Sequence, residues 1–338
     1  MRLRWDDVNA RVRGLTTHLI TRERVPELAA AADLPDLLRR LERAGCQPTL
    51  DPGPVTATGV ERAVRRRAGA QLRLLTRWCG SRAPVLAIIF EQEDRRSLSM
   101  LIRGTVAGAA PDDRVAGTIP TASLPVRALE ELARQTDLRA LGALLGAWGN
   151  PYAPVLREIE NPRHPDLLRV EQRLGELFAR RAGNAAREGD RVLQAHVRDA
   201  VDLENLWGAL LLAGDGGDVD AGECFIAGGD RITAEIFERA AIAPDRAEAG
   251  RRLARAFGAR PIARALRHAA GLPQLEDDLL AAQLHERRAA ARVDPLSSAP
   301  LLAFALALRA ETMLLGRLTW GVALAMPASE LAAEAAPV

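Results

Sequence analysis

The sequence predicts an all-α protein assembled from homologous helical segments. Three observations lead there. The chain repeats itself at an interval of roughly a hundred residues. Its apolar residues recur at the three-and-four spacing of a helix face. No stretch sustains the alternation of β-branched residues that a half-buried strand would need.

The repeat is read by superposing the sequence on itself. At an offset of 108, Asp94 falls on Asp202, Leu98 on Leu206, Gly108 on Gly216 and Asp112 on Asp220. Leu124 then falls on Ile232, Leu129 on Phe237, Glu130 on Glu238 and Ala133 on Ala241. At an offset of 104, Leu28, Ala29, Asp33, Leu34, Leu37, Leu41 and Gly45 match Leu132, Ala133, Asp137, Leu138, Leu141, Leu145 and Gly149. A third, weaker copy of this element is expected from Leu253 and Ala254 through Ile262 and Leu266 to Gly271, without the aspartate. The expected lobes are 21–131, 132–241 and 242–338. Residues 1–20 plus 296–338 and the preceding helices make an N-/C-terminal lobe region. Segments this long are not the helical pairs of a solenoid. Three such lobes side by side, in pseudo-threefold fashion, would leave a central concavity.

Each element has a local reason to be helical. Asp33 and Asp137 are placed to cap a helix, each carboxylate accepting orphan amides of the first turn. The leucines that follow line one face, and Gly45 or Gly149 ends the helix where a positive φ is needed. From Val60 to Gly80, Val60, Val64, Ala68, Leu72, Leu75 and Cys79 form an apolar stripe opposite arginines. Long helices are also expected over 83–106, 190–213, 273–292 and 296–318. The longest apolar runs, from Ala83 and Ala299, fall short of the roughly 20 residues that span a bilayer. The first residues, MRLRWDDVNARVR, lack an apolar signal core, so the chain is expected to be cytoplasmic.

Composition excludes several chemistries. All 46 basic residues are arginine, so neither a Walker A lysine nor a Schiff-base lysine exists. The net charge of +2 does not suit a nucleic-acid binder. Charge is nevertheless uneven: residues 1–108 carry 19 arginines and 12 acids, and residues 109–241 carry 15 arginines and 22 acids. That asymmetry suits different partners on different surfaces, or merely uneven solvated faces. Cys46, Cys79 and Cys224 form no paired motif, as expected in a reducing compartment.

Candidate metal and catalytic groups are sparse. The stretch GDGGDVD from Gly214 approaches a calcium loop, with Asp218 and Asp220 as first and third ligands. Gly222 and Glu223 then stand where a ligand and a glycine are wanted, and a turn between helices explains the stretch better. His18, His164, His196, His268 and His285 lie far apart, as surface or satisfied histidines would. Trp148 and Trp207 read as packing residues, and Arg65, Arg66 and Arg67 as a solvated face. Asp94 and Asp202 stand at equivalent repeat positions. A duplicated carboxylate is better explained by capping or pairing with a neighbouring arginine than by catalysis. No catalytic, cofactor-binding or metal-binding residue is expected.

Three segments resemble the C-type subunit family of V/A-type rotary ATPases (V-type ATP synthases), whose eukaryotic counterpart is the d-type subunit. They are DVNARVR from Asp7, VDLENLWGALLLAG from Val201 with AGGDRITAEIFERA after it, and DPLSSAPLLAFALALRAETMLLGRL from Asp294. The order and spacing of these segments carry the resemblance over nearly the full length. It marks Asn9, Arg11, Arg13, Asp94, Asp202, Asn205 and Glu311 as family-motif structural residues. It implies a non-catalytic central-stalk subunit shaped as a funnel of three helical lobes, with no cofactor and no nucleotide. The implied partners are the central shaft at the mouth and the cytoplasmic face of the membrane proteolipid ring at the base, with no nucleic acid. Asp7 stands where the family usually has tyrosine, and Trp207 and Leu211 where arginines are common. The alternative is a free-standing helical scaffold with a different partner. The coupling ion and the direction of the motor are not written in the sequence.

Overall fold

The computed structural model describes residues 4–159, 165–214, 221–268 and 271–335, and every regular element among them is helical. In chain order, α1 spans Asp6–Thr16, α2 Val25–Ala29, α3 Leu34–Arg43 and α4 Ala57–Cys79. Next come α5 (Ala87–Val106), α6 (Pro111–Ala116), α7 (Val126–Ala133), α8 (Leu138–Ala147) and α9 (Ala153–Arg157). Then follow α10 (Leu167–Ala186), α11 (Arg191–Leu212), α12 (Ala234–Ala241), α13 (Arg246–Phe257) and α14 (Pro261–His268). The chain closes with α15 (Leu272–Val293), α16 (Ala299–Ala323) and α17 (Ala328–Glu334).

The helices form two compact units. One comprises Met1–Asp6, Pro84–Glu91 and Asp166–Ala303; the other comprises Asp7–Ala83, Gln92–Pro165 and Phe304–Val338. The first has a core of α11 to α15, centred on Leu206, Phe237, Leu253, Phe257 and Ile262. In the second, Ile20, Leu28, Leu37 and Leu41 from the start of the chain share a core with Leu314, Leu318 and Leu331 from its end. The two chain ends therefore complete one apolar cluster, whose burial supplies its stability.

The expected cap–helix–glycine element is present. Asp33 accepts the Asp36 amide at 2.7 Å and Asp137 the Ala140 amide at 2.8 Å. Gly45 and Gly149 end α3 and α8 with φ of 82° and 68°, where a side chain would be strained. The third copy differs from expectation. It stands ahead of Leu253, at Asp245, which accepts the Glu248 amide at 2.7 Å and begins α13; Gly258 follows at φ 59°. This copy does have its aspartate. It was obscured because α13 is alanine- and arginine-rich where the other two carry leucines.

The expected long helices appear as α4, α5, α11, α15 and α16, and α10 joins them. Helix α16 is long and apolar enough to cross a membrane, contrary to the reading of its apolar run as too short. Its most apolar window is 61% buried within the protein, as in the core helix of a globular fold.

Candidate functional site

Three long helices each carry a buried carboxylate that holds a loop. On α11, Asp202 is fully buried and accepts the backbone amides of Asp230 (3.1 Å), Arg231 (3.0 Å) and Ile232 (2.9 Å). Burial pushes its carboxyl above the usual range, against the pull of those amides. On α5, Asp94 accepts the hydroxyls of Thr121 and Ser123, and the Thr121 oxygen takes the Leu124 amide at 3.1 Å. On α16, Glu311 accepts the Ile20 amide at 2.8 Å and Arg67 at 2.6 Å. Each held loop leads into a short helix and then, 13 residues after Ile20, Leu124 or Ile232, into the capping aspartate. Asp94 and Asp202 thus fasten the loops in front of α7 and α12, and the partners of Asp202 are backbone amides rather than an arginine.

A second polar clamp stands one turn further along two of these helices. The Asn205 side-chain amide donates to the Ile226 carbonyl and accepts the Ile226 amide, both at 2.8 Å. Ser97, at the matching position on α5, accepts the Ile119 amide at 3.2 Å and donates to its carbonyl at 3.4 Å. These are backbone substitutes: they satisfy loop amides and carbonyls that would otherwise be buried unpaired.

Arg65, Arg66 and Arg67 do not form a solvated face. Arg65 pairs with Glu61, Arg66 with Asp51 and Glu130, and Arg67 with Glu311. Arg67 also donates to the His18 carbonyl at 3.2 Å. Burial raises the Glu311 carboxyl above its usual range, against the pull of Arg67. In the other unit, Asp199 accepts Arg260 at 2.6 and 2.9 Å and Arg287 at 2.8 Å, while Glu286 accepts the Arg260 Nε at 3.0 Å. The two carboxylates hold the Arg260 guanidinium firmly protonated. His196 lies buried beside this network; desolvation, then the Arg287 charge, lower its pKa to about 3. It is a neutral core histidine at physiological pH.

The remaining motif residues lie on α1. Asn9 is buried, Arg13 is exposed, and the Arg11 guanidinium sits 5.7 Å from the Trp78 ring centroid. The motif residues are divided between the two units. Asp202 and Asn205 belong to one unit, and Asn9, Arg11, Arg13, Asp94 and Glu311 to the other. Trp207 packs on the core as expected, but Trp148 is 44% exposed.

Asp218 and Asp220 of the calcium-loop candidate lie outside the described residues, as do His164 and the side chain of His268. Among the described residues, no three His, Cys, Asp or Glu side chains are placed to hold a metal ion. Cys46 and Cys79 are buried, and desolvation pushes both thiols up to about 11. A cleft of 650 Å³ includes Arg4, Glu188, Asp190, Arg191, Asp294 and Ser297 in its lining. Asp190 is already committed there, capping α11 through the Leu193 amide and accepting the Ser298 amide and hydroxyl. Asp190 thus holds structure at this cleft.

The family model described as ATP synthase (C/AC39) subunit matches residues 8–334. No curated protein matches the chain.

Proposed function

The chain belongs to the ATP synthase (C/AC39) subunit family, and on that footing we propose that it is a non-catalytic rotor subunit of a V/A-type ATPase. In this reading it joins the central shaft to the membrane proteolipid ring. It sits on the cytoplasmic face of the membrane and passes torque between ATP hydrolysis or synthesis and H+ or Na+ transport. It binds neither nucleotide nor nucleic acid and needs no cofactor. The proposed lobes are the homologous segments 21–131, 132–241 and 242–338, with the chain ends joining in an N-/C-terminal region.

The observation that carries the reading is the family match over residues 8–334, almost the full length. The physical character of the chain is in keeping with it. A torque-bearing part must resist deformation rather than make or break bonds. Its long helices are packed into apolar cores, which resist compression. Three buried carboxylates tie loops to those helices, so backbone that could slide is held by polar bonds in a low dielectric. The lack of lysine in the sequence rules out a Walker A phosphate site on this chain.

The test is reconstitution of the complex with and without this protein. ATP hydrolysis by the soluble head should survive its removal, while ion pumping into vesicles should stop. Pumping at full rate without it would overturn the proposal.

A further inference from the structure

Helices α1 and α4 lie side by side and antiparallel. Three contacts fix the register. Arg82, just past α4, makes a bidentate pair with Asp7 at 2.7 and 2.9 Å. Arg11 stacks on Trp78 at 5.7 Å, and Arg67 reaches the His18 carbonyl at 3.2 Å. Val8, Val12, Leu72, Leu75 and Cys79 turn to the core. What remains outward is a face carrying Arg11, Arg13, Arg73 and Arg77, separated by Ala10, Gly14 and Ala70.

This face is basic without internal relief. Asp7 is taken by Arg82 and Asp6 by Arg4, and residues 68–79 contain no acid. Arg13, Arg73 and Arg77 have no acidic partner among the described residues. Arg73 and Arg77 stand one turn apart, a spacing at which like charges repel. Elsewhere on α4 the arginines are neutralised within the fold: Arg62, Arg65, Arg66 and Arg67 all have carboxylate partners. The unpaired cations are therefore confined to the part of α4 that lies beside α1.

We propose that the α1/α4 face binds anionic phospholipid headgroups. Arginine forks match phosphate oxygens, and a cluster of them near a bilayer is drawn to its negative surface potential. Alanine and glycine between the arginines leave the face low enough to lie along a plane. Trp78, set in the seam with Arg11 on its ring, has the amphipathic aromatic body found at headgroup depth. A protein interface would want apolar anchors at its centre, and this face offers none besides that ring.

The inference goes beyond the rotor reading and is tested on the purified full-length chain, so its failure leaves that reading standing. The probe is cosedimentation with vesicles of phosphatidylcholine alone or mixed with phosphatidylglycerol. The chain should bind the mixed vesicles, ignore the neutral ones, and be released by salt. One arginine near such a surface changes binding roughly fivefold, so R13Q/R73Q/R77Q should weaken it about a hundredfold. R264Q/R288Q/R292Q, which removes equal charge from the other unit, should bind like the parent. Equal helix content by circular dichroism excludes misfolding. No preference for anionic vesicles overturns the proposal, as does undiminished binding by R13Q/R73Q/R77Q. If the parent ignores vesicles while R13Q/R73Q/R77Q fails to join the complex, the face meets an acidic protein instead, and the proposal is wrong.

Discussion

Arg67 and Glu311 form a buried ion pair that joins residues far apart in the chain, and a double-mutant cycle will measure what it contributes. Their side chains are 13% and 2% exposed, and the carboxylate also holds the Ile20 amide. Arg67→Met leaves a buried carboxylate with one backbone donor, which should cost about 3–5 kcal/mol at neutral pH. Glu311→Leu strands the Ile20 amide, worth about 1–3 kcal/mol, and leaves Arg67 without its partner in a mostly buried position. The double variant strands only the amide. Its cost should fall short of the sum of the singles by at least about 2 kcal/mol. The assay is denaturant unfolding followed by helix signal, with slopes compared across variants. A pH signature sharpens the test. The folded-state pKa of Glu311 is already raised by burial, and losing Arg67 raises it further. A raised pKa adds stability that is present below the unfolded value and is lost as pH rises through the folded one. The Arg67→Met penalty should therefore shrink on acidification, because a protonated Glu311 needs no cation. Additive single effects, or a penalty that grows as pH falls, would refute the account.

Two further outcomes follow from local geometry. Ala325 ends α16 at φ 53°, with the Met326 amide on the Gly321 carbonyl and the Ala325 amide on that of Val322; Gly108 does the same after α5. Ala325→Gly should thus stabilise the fold by about 0.5–1 kcal/mol, read as a raised unfolding midpoint; a lowered one would contradict the strain. His196 has a folded pKa of about 3 against an ordinary 6.5, so the unfolded chain binds a proton that the folded one refuses. Its contribution is present above pH 6.5 and lost as pH falls towards 3. Between about pH 6.5 and 4.5 the parent should lose roughly 2–3 kcal/mol more than His196→Leu; parallel pH profiles would sink the assignment.

What the sequence disclosed and what it hid follow one physical division. The helix class, the caps at Asp33 and Asp137, and the glycines that close α3 and α8 were legible because each depends on residues within a turn or two. The same reasoning missed the cap at Asp245, since α13 has Leu253 alone where its counterparts have several leucines. It marked Asp94 and Asp202 as structural but not their partners. Those lie 27 to 30 residues downstream and differ in kind: hydroxyls of Thr121 and Ser123 in one case, backbone amides in the other. Arg65, Arg66 and Arg67 were misread for a related reason. Their acids come from Asp51, Glu130 and Glu311 as well as from Glu61 one turn away, and only the last is visible to helical spacing.

The third carboxylate differs from the other two because its loop comes from the other end of the chain. Asp202 and Ile232 are 30 residues apart, whereas Glu311 and Ile20 are separated by 291. Chain-closure entropy grows with the logarithm of that separation, which makes the second contact about 2 kcal/mol more costly to form. Three things at that position offset the difference. The side chain is longer by one methylene and reaches a loop that it does not lead into. Arg67 adds a charge-assisted bond, roughly twice the strength of a neutral one, and also holds the His18 carbonyl just before the loop. The apolar cluster shared by Leu28, Leu37, Leu314, Leu318 and Leu331 then covers the junction. At Asp202 a carboxylate on backbone amides suffices, because the chain itself keeps loop and helix close; at Glu311, where it does not, the fold adds a buried ion pair. On this argument the unit that holds Ile20 and Glu311 should be the first to open when Arg67 is removed, while the loop at Asp202 keeps its amides protected from exchange.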